Sequence, residues 1–151
     1  MMYEDVIRDF AERTRKNLRA IEHLLADGEE VYEVTQLVNS MLGLLVFPRE
    51  EFIDRIPETS LIDLKRKGWP IPKVRSGFPQ ISNLKELVRY LRNAIAHFNI
   101  EFIGDGTNQI RLLRVWNINR MGAKTWEADL GLSDIRGIAE RFTGLLLERR
   151  D

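Results

Sequence analysis

Along most of the chain apolar residues return every three or four positions, and just past residue 98 that spacing drops to two. The first period builds amphipathic helices and the second builds half-buried strands. A chain that runs through both in this order is therefore mainly helical, with a small sheet late in its length. Val6, Ile7, Phe10, Thr14, Leu18, Ile21, Leu24 and Leu25 predict a first helix, stopped at Gly28. Val31, Val34, Leu37, Val38, Met41, Leu42, Leu45 and Val46 predict a second, more buried one that Pro48 closes. Shorter helical pieces are expected at 50–55 and 60–65. Asn83, followed three residues later by Glu86, predicts a capping-box-like start to a strong helix with Leu84, Leu87, Val88, Leu91, Ile95 and Phe98 on its buried stripe.

After that helix Phe98, Ile100 and Phe102 alternate, and Gly104-Asp105-Gly106 supplies turn chemistry. The β-branched and aromatic run 110–118 follows, then a turn at 119–124 and a third short strand at 125–130. Ser133 is expected to cap a final helix that buries Ile135, Ile138, Ala139, Phe142, Leu145 and Leu146. Trp116 and Trp126 are expected to pack the sheet on the helices, with a binding face as the alternative. The expectation is a single domain over 1–151: a mainly α helical bundle with a small antiparallel β insertion at 98–130, before the C-terminal helix.

Composition narrows the chemistry. There is no cysteine, which removes disulfides, thiolate zinc sites and cysteine nucleophiles, and the only two histidines, His23 and His97, argue against a multi-histidine metal centre. No metal and no cofactor is expected. The acidic start Met1-Met2-Tyr3-Glu4-Asp5 is unlike a signal peptide, and the longest apolar stretch, 41–47, falls far short of a bilayer span. A cytoplasmic protein with no membrane contact is the expectation.

Lys and Arg total 23, as do Asp and Glu, so bulk attraction to a polyanion is not the basis of any binding, although a local basic patch is compatible with that sum. One such patch is visible. Residues 65–80 hold three of the five prolines and no acid, which predicts a long loop. Its Lys65, Arg66, Lys67, Lys73 and Arg75, beside Trp69 and Phe78, are candidates for meeting phosphates and stacking bases. The alternative is a solvated loop anchored by its two aromatics.

The most distinctive string is Leu91-Arg92-Asn93-Ala94-Ile95-Ala96-His97-Phe98-Asn99. At 100° per residue, Arg89, Asn93, Ala96 and His97 point away from the core while Arg92 sits at its margin. Asn93 and His97 are one turn apart and within reach of each other. From helical geometry alone, a surface helix end with a dipole-favoured histidine explains the same pattern, and it is the better reading of His23. Other chemistries find little support. Gly104-x-Gly106 falls in a hairpin turn, Asp54 with Asp63 and Glu50 with Glu51 read as solvated carboxylates, and no phosphate-loop, nucleophile-elbow or metalloprotease pattern occurs.

Arg92-Asn93-x3-His97 resembles the motif of the HEPN superfamily (higher eukaryotes and prokaryotes nucleotide-binding domains), in which an arginine, a polar residue, three further residues and a histidine fall late in a bundle helix. The continuation His97 to Phe102 and the β segment resemble a bacterial branch often associated with plasmids or mobile elements. The resemblance implies RNA as partner and a metal-independent endoribonuclease that leaves 2′,3′-cyclic phosphate ends. It implies His97 in acid/base work, Arg92 in phosphate stabilisation and Asn93 in orientation; Arg89, outside the motif but on the same outward face, is a candidate RNA contact. Imidazole and guanidinium suit those roles, since the first exchanges protons near neutral pH and the second is a permanent, forked cation. The resemblance further implies a homodimer with a composite site and a toxin or defence role with an antitoxin. A non-catalytic RNA- or nucleotide-binding protein and an interaction subunit for a nucleotidyltransferase-type partner are the alternatives.

Overall fold

The computed structural model describes residues 3–46, 48, 53–107 and 109–148. The first helix, α1 (Tyr3–Ala26), ends as the sequence predicts. Gly28 takes a φ of 82°, and the amides of Gly28 and Glu29 turn back to the carbonyls of Leu25 and Leu24 at 3.1 and 3.0 Å. The buried stripe of α1 is narrower than its apolar one. Ile7, Ala11, Thr14 and Leu18 are covered, while Val6, Phe10, Leu24 and Leu25 stay exposed. The predicted second helix is two pieces: α2 (Glu33–Met41) and a π-helical turn, Leu42–Val46, whose Gly43, Leu44 and Leu45 are buried. Of the piece expected at 50–55, residues 50–52 lie outside the described residues, and Ile53 and Asp54 are helical.

Ser60 caps α3 (Leu61–Arg66), its hydroxyl accepting from the Asp63 amide at 3.2 Å. Beyond it the basic segment is not only loop. Lys73–Val74 forms a short strand, β1. Then come α4 (Leu84–Ala96), β2 (Ile100–Gly104), β3 (Ile110–Ile118), β4 (Lys124–Gly131) and α5 (Leu132–Glu148). The four strands are antiparallel in the order β1-β4-β3-β2. The molecule is thus mainly helical with a small antiparallel sheet, but one edge of that sheet comes from the basic segment ahead of α4. Two prolines, Pro70 and Pro72, had hidden that strand, because it is only two residues long and sits at an edge, where proline neighbours are tolerated.

Register decides which side chains reach the core. Val115 pairs with Ala128, and both are buried, so Trp126, two residues from Ala128, also faces the helices and is 1% exposed. Trp116 pairs with Glu127 on the opposite face, where the Lys124 ammonium lies 4.6 Å from the ring centre. Of the two tryptophans, only Trp126 packs sheet on helices. A further correction concerns the last helix: α5 begins at Leu132, directly off β4, with Ser133 inside its first turn. The carboxylate of Asp134, not Ser133, takes the Gly131 amide at 3.1 Å.

One core joins all the layers, with Leu37, Met41, Leu64, Leu87, Leu91, Leu113, Trp126, Leu130 and Phe142 among its fully covered side chains. Arg136 of α5 bridges Glu22 of α1 at 3.2 Å and the buried Glu33 of α2. Among the described residues no helix is long and apolar enough to cross a membrane.

Candidate active site

The geometry of α4 follows from its two ends and one face. At its start the Asn83 side chain accepts from the Glu86 amide at 2.9 Å. Glu86 reaches back past the cap to the Ser82 amide at 3.2 Å. Leu84, Leu87, Val88, Leu91, Ala94 and Ile95 are buried, and Tyr90 stacks obliquely on Trp126 with ring centres 5.0 Å apart. Burial there pushes the Tyr90 hydroxyl above its ordinary pKa. With that face fixed, Arg89, Asn93, Ala96 and His97 are exposed and Arg92 is half-buried, as helical geometry predicts.

The end of α4 departs from the sequence reading. His97 is the C-cap, and Phe98 takes a φ of 53°, the left-handed conformation in which a glycine would be at ease. The amides of Phe98 and Asn99 return to the carbonyls of Ile95 and Ala94 at 3.1 and 2.8 Å, and the Asn99 carbonyl accepts from the Trp116 amide of β3 at 3.2 Å. His97 is therefore held on a closed helix end stitched to the sheet. Phe98, expected on the buried stripe, is 65% exposed. A residue in the left-handed region no longer follows the helical rotation, so its ring leaves the stripe.

Beside the motif lies a cavity of about 180 Å³, lined by Ile53, Asp54, Lys85, Arg89, Arg92 and Asn93. Three cations and one carboxylate face it. Lys85, Arg89, Asn93 and His97 follow one another at four-residue steps along the outer face of α4, with Arg92 alongside. Neither Asn93 nor the His97 ring makes a hydrogen bond to another described side chain. Among the described residues no three His, Asp or Glu side chains converge to hold a metal ion. His23 is exposed in the last turn of α1 and lines neither this cavity nor the larger one described next.

The basic segment is placed elsewhere. Lys65 and Arg66 lie in the last turn of α3, Arg66 within 3.7 Å of Asp63, and Lys67 is its C-cap. Lys67 and Trp69 line a cleft of about 610 Å³ with Leu84, at the start of α4, and with Gly137 and Arg141 of α5. Lys73 is exposed in β1. Arg75 is employed in the sheet: its Nε lies 2.9 Å from Glu127 and its Nη1 3.6 Å from Asp129. Asp129 also takes a forked pair of hydrogen bonds from Arg114, at 2.8 and 3.2 Å, and that guanidinium holds its carboxyl below the usual carboxylate range. Because β1 and β2 are the two edges of the sheet, Lys73 and Val74 lie at the opposite edge from the strand that follows His97.

The structure thus brings Arg89, Arg92 and Asn93 to one cavity on the helix that ends at His97, and it does not bring Lys65, Arg66, Lys67, Lys73 or Arg75 there. Lys85, which sequence reasoning passed over, joins them; its signal was its position four residues before Arg89.

The sequence matches the protein-family model described as HEPN pEK499 p136 over residues 1–151. The chain belongs to this HEPN family, and that membership points to a nuclease or nucleotide-binding function. No curated protein and no solved structure gives a match.

Proposed function

We propose that the chain is a metal-independent endoribonuclease that works as a homodimer. The observation that carries this reading is the cavity shared by Arg92, Asn93 and Arg89 on the outer face of α4, one turn from an exposed His97 held on a closed helix end. In this reaction the substrate 2′-oxygen attacks the neighbouring phosphorus, the bond to the 5′-oxygen breaks, and a 2′,3′-cyclic phosphate is left. One proton leaves the 2′-hydroxyl and one is delivered to the 5′-oxygen, so the reaction needs a base and an acid. His97 supplies one of these functions. Its counterpart from a second copy, facing the same cleft across a two-fold axis, supplies the other. Arg92 neutralises the charge that grows on the phosphorane, and Asn93 orients phosphate or imidazole.

Arg89 binds an adjoining phosphate. Lys65, Lys67 and Lys73 serve as outlying RNA contacts, with Arg66 and Arg75 limited by their acidic neighbours. A toxin or defence role in the cytoplasm, with an antitoxin or a nucleotidyltransferase-type protein as partner, rests on family resemblance.

The test is cleavage of RNA by the purified protein in EDTA, with the ends analysed for cyclic phosphate and the mass followed by sedimentation. His97→Ala should lower the rate by a factor of about 10² to 10⁴ with the fold preserved. Undiminished cleavage in that variant removes the mechanism, binding without cleavage by the unaltered protein leaves an RNA- or nucleotide-binding role, and a strict monomer removes the composite site.

A further inference from the structure

Two phenylalanines that follow His97 in the chain keep their rings exposed. Phe98 is held at a φ of 53°, which strains a residue with a β-carbon, and its ring is 65% exposed. Phe102 of β2 is 40% exposed, and the two ring centres lie 6.5 Å apart. Phe102 pairs with the buried Leu113, so it stands on the helix side of the sheet, the side on which α4 ends. The fold bears the strain and exposes two aromatic rings on the chain that follows the C-cap His97.

On the other side of the imidazole runs the row Lys85, Arg89, Asn93 and His97, with Arg92 beside it. Successive members rise by about 6 Å along the helix, comparable to the separation of neighbouring phosphates in an extended strand. Cations thus lead up to the reacting group, and flat apolar rings follow it. A chain of phosphates carrying bases has that same alternation.

We infer that α4 and its end form a subsite track for single-stranded RNA: phosphates on one side of the cleaved linkage follow Lys85, Arg89 and Arg92, and the base on the other side stacks on Phe98 with Phe102 behind it. The inference rests on the endoribonuclease reading for the position of the cleaved linkage. It adds the residues that flank that linkage, Lys85 and Arg89 on one side and Phe98 and Phe102 on the other, where an unpaired base offers a free face to the ring.

Binding is measured with a mixed-sequence 12-nucleotide 2′-O-methyl RNA, which lacks the attacking hydroxyl and stays intact, and with the duplex of the same sequence. Phe98→Leu should weaken single-strand binding about tenfold with an unchanged salt slope, and Phe98→Trp should restore it. The Lys85→Gln/Arg89→Gln double variant should lower the salt slope by about 1.4, the value for two lost contacts on a single strand. The duplex should bind less tightly and be indifferent to Phe98→Leu. Phe98→Gly separates function from folding, because it relieves the backbone strain. It should melt at or above the temperature of the unaltered protein and still lose the affinity.

Single-strand affinity unaltered in Phe98→Leu overturns the inference. So does a Phe98→Leu protein whose only change is dissociation of a dimer, which assigns the rings to a second copy. If this binding pattern holds while unmodified RNA is never cut, the track stands and the nuclease reading falls. If His97→Ala stops cleavage but the Phe98 variants bind like the unaltered protein, the track falls alone.

Discussion

The basic segment and the outer face of α4 are both rich in cations, and the structure sets Arg75 of the one and Arg89 of the other in different surroundings. In the segment, Arg75 is pinned between Glu127 and Asp129, and two residues, Lys73 and Val74, are drawn into the sheet. On α4, Lys85, Arg89 and Arg92 open onto a cavity beside Asn93. A run of positive charge in a sequence therefore does not say how much of it is available to a ligand. Arg75 meets acids across a strand pairing, whereas Lys85, Arg89 and Arg92 line a cavity that also holds the Asp54 carboxylate.

The comparison can be broken at several points. The largest contrast is expected in catalysis. Arg92→Ala should reduce RNA cleavage by a factor of about 10² to 10³, the usual consequence of removing a donor aimed at developing charge, while Arg75→Ala should change the rate little and lower the melting temperature instead. Similar rate losses in the two variants would put both regions in one site.

A smaller contrast is expected in binding. Neutralising Lys65, Arg66 and Lys67 together should weaken RNA binding and flatten its salt dependence, but by less than the Lys85→Gln/Arg89→Gln double variant does. The reverse order would return the segment to the centre of recognition.

The smallest effect concerns the acids that occupy the segment. Arg114 holds Asp129 ionised, with its carboxyl below the ordinary range. Its contribution to stability is then complete above the ordinary carboxylate value and fades as pH falls through the lowered one. Asp129→Asn should melt about 2–4 °C lower at neutral pH, and the gap should close below about pH 4. A pH-independent gap would assign the loss to packing.

Much of this was legible in the chain. Helical spacing placed Arg89, Asn93, Ala96 and His97 outside and Leu87, Leu91 and Ile95 inside, because one rotation per residue governs a helix whose caps are local. The cap at Asn83 and the stop at Gly28 were readable for the same reason. What escaped depended on distant partners. β1 exists only because β4 runs beside it, and the orientation of Trp116 depends on a pairing register that alternation within one strand does not reveal. Phe98 escaped because a left-handed residue interrupts the rotation on which the stripe was drawn. Phe10, on the exposed half of the α1 stripe, lays its ring against Gly43 of the π-helical turn, another contact between distant residues.

One consequence of the placement of α4 concerns length. Its 13 residues extend about 20 Å. Lys67 and Trp69 border the cleft at its first turn and His97 closes its last. The helix is in effect a ruler. On the endoribonuclease reading, an oligonucleotide of one or two units held at His97 ends well short of the cleft that Lys67 borders.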